Sequence, residues 1–327
     1  MDVLDRLTNK AALERRLLEQ SGNQLIDEEK FATSLKASVI GQDAICDDVA
    51  LQIRRRLALE RRNKPVGVFL FAGPPGTGKT YLAKKVGEYL QRKVLHLDMT
   101  QLSDAPAASQ LFGAPKGYLG SNTYGKLTGG LRDVPDALVL LDEIEKASPE
   151  VMKKFLTAWN DGFVTEASDG KQIGTARAIF VLTSNAAVDV LGDLATQYEN
   201  QPDELRRSAT NALKEAGFAP EVLNRIDRIF VFKVLKGLDI ARVAALEIEA
   251  MIGNYGLQVA DGGIDVEVLY GVMQRQDRLG SGASSRDLVR SIEEAIADSL
   301  IDVKSRGAKR VRLVHDGTGT RAEAAEG

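Results

Sequence analysis

Two small groups of residues in this chain are suited to phosphate chemistry. Gly73-Pro74-Pro75-Gly76-Thr77-Gly78-Lys79-Thr80 matches G-x-x-x-x-G-K-[ST], the phosphate-binding P-loop. Its glycines let backbone N–H groups turn inward on a polyphosphate, and a helix N-terminus behind them adds partial positive charge. In this pattern Lys79 reaches the β- and γ-phosphates and the Thr80 hydroxyl ligates Mg2+. The second group is Asp142-Glu143, preceded by four apolar residues. Asp142 is placed to orient Mg2+ directly or through water, and Glu143 to polarise an attacking water. An acidic pair at a strand end says little alone. With a P-loop about sixty residues upstream, it points to hydrolysis of a nucleoside triphosphate rather than storage.

Such groups need particular supports. Residues 66–71 are short, apolar and bounded by Pro65 and Gly73, which predicts a buried strand running into the P-loop. Residues 79–90 predict a helix with Leu82, Val86, Tyr89 and Leu90 on one side. Further apolar strands are predicted at 93–98, 137–141, 178–182 and 229–232, with a possible hairpin at 163–173. Ser148 and Pro149 mark a helix start as N-cap and first helical residue. Strands alternating with helices predict an α/β core, a parallel sheet with helices on both faces. The third predicted strand holds Asp142 at its carboxyl end, where open α/β sheets bind ligands.

The expected domains are a helical N-terminal arm over 1–36, an α/β domain over 37–232, a small, mainly helical domain over 233–315 and a disordered tail over 316–327. Helices are predicted at 43–62, 238–253, 266–275 and 286–303, and one edge strand at 309–314. The arm either packs on its own core, the blander reading, or on a neighbouring subunit. The tail is rich in Gly, Thr, Ala and Glu.

The chain has 327 residues, enough for about two domains. Its net charge of −3 gives no overall basic excess for nucleic acid. Cys46 is the only cysteine, so no intrachain disulfide forms, in keeping with a reducing compartment. No apolar run approaches the ~20 residues of a membrane span, and the acidic N-terminus lacks a signal peptide's apolar core. A cytoplasmic enzyme is the expectation.

Several ordered motifs carry a family resemblance. They are Val39-Ile40-Gly41-Gln42, Asp98-Met99, Gly113-Ala114-Pro115-Lys116-Gly117-Tyr118-Leu119-Gly120, Leu140-Leu141-Asp142-Glu143-Ile144-Glu145-Lys146-Ala147, Thr183-Ser184-Asn185 and Phe218-Ala219-Pro220-Glu221-Val222-Leu223-Asn224-Arg225-Ile226-Asp227. Together they resemble the Clp-family AAA+ unfoldases, specifically the second ATPase ring of ClpB- and ClpA-type proteins, over residues 35–314. The resemblance implies ATP and Mg2+ as cofactors. It implies that Val39 and Ile40 line the adenine pocket and that Asn185 is a sensor holding the attacking water. Arg225 would be an arginine finger inserted into the next subunit's site; the alternative is a surface arginine paired with Asp227. Arg286 takes the place of the second sensor, in Ser284-Ser285-Arg286 where the family has Gly-Ala-Arg, with Arg290 as the fallback. Gly117-Tyr118-Leu119-Gly120 resembles the substrate-gripping pore loop; the alternative is that Tyr118 packs in the core.

The chain departs from the family pattern at Ser121-Asn122-Thr123-Tyr124, where an acidic pair is usual, at Gln101 for Glu and at Ser148 for His. The sequence shows no first ATPase ring, coiled-coil middle domain or family-like substrate domain, so a stand-alone module is expected. Val190-Leu191-Gly192 is a poor match to the loop that docks the ClpP peptidase. The expected function is ATP-dependent unfolding or remodelling of a polypeptide substrate by a homo-hexamer. Rival expectations are a nucleic-acid motor or loader and a regulatory ATPase that assembles only with a partner protein.

Overall fold

The computed structural model describes residues 26–59, 63–102, 108–118, 122–279, 285–317 and 319–325. Most of the expected N-terminal arm, and Leu119 and Gly120 of the expected pore loop, lie outside the described residues. The chain divides into two compact units. The first holds the described residues up to Phe232 except 74–78; the second holds 74–78 and those from Lys233 onward.

The first unit contains β1 (Gly67–Ala72), β2 (Val94–Asp98), β3 (Leu138–Asp142), a hairpin of β4 (Phe163–Thr165) and β5 (Gln172–Gly174), then β6 (Ile179–Ser184) and β7 (Arg228–Val231). Five of these form one parallel sheet in the order β2-β3-β6-β1-β7. Successive side chains point to opposite faces, so each central strand feeds two cores. Val68, Leu70, Val139, Leu141, Phe180 and Leu182 enter one, and Phe69, Phe71, Leu138, Leu140, Ile179 and Val181 the other. Burial on both sides explains why these strands read as unbroken apolar runs.

The helices of this unit are α1 (Glu28–Ser38), α2 (Asp43–Leu57), α3 (Lys79–Tyr89), α4 (Ala108–Phe112), α5 (Lys126–Asp133), α6 (Pro149–Asn160), α7 (Val188–Gln197), α8 (Pro202–Glu215) and α9 (Pro220–Leu223). The α1 helix crosses the expected arm boundary and buries Phe31, Ala32 and Leu35. Phe31 stacks on Tyr89 of α3 at 4.4 Å, so this part of the arm packs on the chain's own core. The α6 helix starts as its sequence dictates: Ser148 Oγ accepts the Val151 N–H, and Pro149 occupies the first turn.

The second unit contains α10 (Leu238–Asn254), β8 (Gln258–Ile264), α11 (Val266–Leu279), α12 (Ser285–Ser305), β9 (Arg310–His315) and β10 (Thr320–Ala324). Its helices match expectation, but it also carries a three-stranded sheet in the order β10-β9-β8. The expected edge strand β9 is therefore the middle one, parallel to β8 and antiparallel to β10. The tail expected to be disordered supplies β10. A turn makes this possible: Gly317 takes φ 86°, the Asp316 carboxylate accepts the Gly319 N–H at 3.1 Å, and the same carboxylate pairs with Arg321 at 2.7 Å. Ala322 is buried, and its N–H donates to Ser299 Oγ at 2.9 Å. Among the described residues no helix is long and apolar enough to cross a membrane.

Candidate active site

The β1 strand delivers the chain from the sheet into the P-loop, where Gly73, Gly76 and Gly78 have φ 144°, 73° and 95°. Side-chain-bearing residues rarely adopt these values. A Cβ on Gly73 would also stand 2.6 Å from the Phe232 carbonyl oxygen. Within the loop, the Thr77 hydroxyl donates to the Pro74 carbonyl at 2.8 Å.

Lys79 opens α3 and is only 6% exposed. Its ammonium donates to the Gly73 carbonyl at 2.7 Å. Burial lowers its pKa to about 8, against the pull of Glu145, Asp142 and Glu143.

Asp142 ends β3. Its Oδ1 accepts from the Thr80 hydroxyl at 3.0 Å and from the Thr183 hydroxyl, and its Oδ2 lies 2.9 Å from His96 Nε2. Burial raises its pKa, but the bonds from Thr183, His96 and Thr80 outweigh that and hold it below the ordinary carboxylate value. Thr80 and Asp142, predicted to share Mg2+, are thus brought together, one from each motif.

Glu143 follows in a left-handed conformation, φ 55° and ψ 54°. Its N–H donates to Thr183 Oγ1 at 3.0 Å. Asn185, just past β6, gives its side-chain N–H to Glu143 Oε1 at 3.2 Å and its backbone N–H to Glu145 Oε1 at 3.0 Å. Asn185 Oδ1 and Glu145 Oε2 are buried with no hydrogen-bond partner among the described residues. A buried acceptor left unpaired in a polar site is suited to a donor such as water. The glycine cradle, the buried ammonium, the ionised Asp142 beside a hydroxyl and these spare acceptors fit a nucleotide polyphosphate with a divalent cation.

Arg225, after α9, is exposed and forms no ion pair among the described residues. Its sequence-proposed partner Asp227 is engaged elsewhere, with Arg56 at 2.9 Å and the Val68 N–H at 2.7 Å. The next arginine, Arg228, pairs with Asp48 at 2.6 Å. Tyr118 is 70% exposed, so it does not pack in the core. Gly117 before it takes φ 93°, and a Cβ there would meet nothing within 4 Å. Val39 is buried among the residues around Phe31 and Leu35, and Ile40 is half-buried beside it. Arg286 is the second residue of α12, with its side chain outside the described residues. The fallback Arg290 lies exposed, 3.5 Å from Glu294.

A family model described as AAA domain (Cdc48 subfamily) matches residues 64–229, which hold the P-loop, Asp142, Glu143, Asn185 and Arg225. The chain belongs to the AAA family. The chain is 34% identical over 306 residues to the ATP-dependent Clp protease ATP-binding subunit ClpE of Lactococcus lactis, covering 92% of its length. It is 33% identical over 294 residues to the chaperone protein ClpB of Rhodopirellula baltica, covering 86%. To the chaperone protein ClpB of Tropheryma whipplei it is 34% identical over 311 residues, covering 93%. The resemblance to the Clp branch is therefore shown over most of the AAA chain. The chain spans 40%, 32% and 41% of those relatives' own lengths. AAA domains are ATPases, so the nucleotide that suits the cradle is ATP.

His96, Thr183 and Glu145 join the site without having been assigned roles from sequence. Thr183 and Glu145 stand inside motifs that were recognised. His96 is brought to Asp142 by the parallel register of β2 on β3, in which Asp98 faces Asp142.

Proposed function

We propose that this chain is an ATP-dependent protein remodeller that hydrolyses ATP at interfaces between copies of itself. In this reading the copies form a hexameric ring in the cytoplasm and draw polypeptide through its pore. The supporting observation is the state of Arg225. Its nearest acid in sequence, Asp227, is held by Arg56 and the Val68 amide, which leaves the Arg225 guanidinium exposed. A cation so displayed on the surface of an AAA domain is suited to a neighbour's phosphates.

Within one copy, Lys79 exchanges its bond to the Gly73 carbonyl for phosphate oxygens, and Val39 and Ile40 contact the adenine. Thr80 and Asp142 are the residues that would hold Mg2+. When bound, the cation neutralises phosphate charge and aligns the transferring group. Glu143 receives the proton of the attacking water, and the Asn185 amide, now on Glu143 Oε1, orients both. The neighbour's Arg225 neutralises charge that develops on the phosphoryl group, an effect worth about 10³–10⁵ in rate in other systems. Arg286 acts as a second sensor.

Tyr118, exposed beside a glycine, presses on the polypeptide without reading its sequence. The segment compared with a peptidase-docking loop, Val190-Leu191-Gly192, lies within helix α7, and we propose no ClpP-type partner. The negative net charge favours polypeptide over nucleic acid as the partner.

Arg225→Ala tests the reading. It should bind ATP as the parent does and lose hydrolysis by about a hundredfold or more. Hydrolysis at the parental rate would remove the shared-site model.

A further inference from the structure

The described ends of the segment bearing Tyr118 converge on one carboxylate. Glu166 lies in the turn between β4 and β5 and is fully buried. Its Oε2 accepts from the Gly125 N–H at 3.1 Å and from the Thr128 hydroxyl, and its Oε1 accepts from the Ser168 N–H at 3.0 Å. Gly113, at the other end, packs against the same group: a Cβ there would stand 1.6 Å from Glu166 Oε1. The adjoining Phe112 carbonyl accepts the Ala167 N–H at 2.8 Å. The Tyr124 hydroxyl donates to Asp169 in the same turn, and Arg132 lies over the Tyr124 ring at 4.4 Å.

The hairpin is also continuous with the catalytic groups. The α6 helix begins shortly after Glu143 and ends at Asn160, just before β4. The β5 strand leads to β6, which ends beside Asn185. Thr175 ties the base of the hairpin to the end of α6: its hydroxyl donates to the Ala158 carbonyl at 2.8 Å and its N–H to the Gly162 carbonyl at 2.7 Å. Glu143 and Asn185, bonded to each other, therefore stand at one end of a connected piece of structure whose far tip is Glu166. Capping α5 would need only the Gly125 and Thr128 bonds. The contact with Gly113 links the same carboxylate to the start of the segment.

We propose that Glu166 is a positioning residue, the joint through which the nucleotide state at Glu143 and Asn185 moves both ends of the segment bearing Tyr118. This rests on the reading of Tyr118 as the group that grips polypeptide.

The test uses the full chain, with fluorescein-labelled casein as an unstructured polypeptide probe. Glu166→Gln keeps the size of the side chain but removes its charge. Thr128→Val removes only the hydroxyl, and Thr128→Ser restores it. In Glu166→Gln and Thr128→Val, basal ATP hydrolysis should stay within about twofold of the parent, while its stimulation by casein falls about tenfold. Thr128→Ser should behave as the parent. Parental stimulation in both altered forms overturns the proposal, as does parallel loss of basal and stimulated rates in both. If Glu166→Gln does not fold, Thr128→Val decides.

A second measurement separates this joint from the gripping role. Hydrogen exchange is followed on the amides of 113–118 and 122–125 when ATP is added to the Glu143→Gln form. Adding Glu166→Gln should abolish the ATP-induced change there and preserve the change at the P-loop. A persisting change in 113–125 overturns the joint, whatever that segment grips. Abolition supports the joint, even where Tyr118→Ala responds to casein as the parent does and the gripping role falls.

Discussion

Replacing Lys79 with methionine removes a buried ammonium while keeping the reach of the side chain. In the folded protein burial lowers this lysine's pKa from the ordinary 10.5 to about 8. Only the protonated form attracts phosphate. Between pH 7 and 9 the protonated share falls from about nine-tenths to about one-tenth, so ATP affinity should weaken about tenfold. Stability moves the opposite way. The folded-state pKa lies below that of the unfolded chain, so between about 8 and 10.5 the unfolded chain binds more protons. The nucleotide-free protein should therefore gain stability as pH rises through this window, by up to about 3 kcal/mol. Lys79→Met should bind ATP weakly at every pH and lack this share of the stability gain. Other ionisable groups are common to both forms, so the difference between parent and variant isolates Lys79. The assays are titration with a fluorescent ATP analogue and urea unfolding, each across the pH series. A parent whose affinity is flat from about pH 7 to 9, or whose stability does not rise relative to Lys79→Met, would refute the reasoning.

Glu143→Gln should bind ATP and fail to turn it over, and so should Arg225→Ala. Mixed one to one at random in a ring, the two place an intact Glu143 beside an intact Arg225 at about one interface in four. The mixture should then recover up to about a quarter of the parental rate, and no recovery in a mixed assembly would count against sharing. Tyr118→Ala should hydrolyse ATP as the parent does and lose remodelling of a tagged polypeptide, measured by loss of the tag's native fluorescence. Truncation before Asp316 removes β10 and uncovers the core around Val311, Leu313 and Leu300. It should cost about 2–4 kcal/mol in urea unfolding, and an unchanged midpoint would show that the tail contributes nothing to the core.

What could be read from the sequence was mostly what depends on neighbours along the chain. Apolar runs located all five strands of the large sheet to within a residue or two, most plainly in β1, β3 and β6, where burial on both faces leaves few polar positions to interrupt them. The P-loop and Asp142-Glu143 were readable for a similar reason, since their chemistry needs adjacent residues. The spatial partnerships were not. Arg225 and Asp227 are two positions apart and looked like a pair, yet Asp227, just before β7, meets Arg56 of α2. His96 reaches Asp142 only through strand register. Glu145 acquires its bond to Asn185 only when β3 and β6 lie side by side. The β8 strand was hidden by Asp261-Gly262-Gly263, where the pairing with β9 shifts register at a bulge. The β10 strand was hidden by a polar composition that says nothing about the backbone partner waiting in β9.

The backbone of Glu143 has a bearing on how this protein can change over generations. A side-chain-bearing residue at φ 55° costs on the order of 1 kcal/mol, which glycine or asparagine would relieve. Drift toward a sturdier fold therefore pushes this position toward the replacements that would silence its chemistry. If Glu143 drives turnover as proposed, keeping glutamate here trades some scaffold stability for activity, and a screen for heat resistance alone would be expected to lose it early.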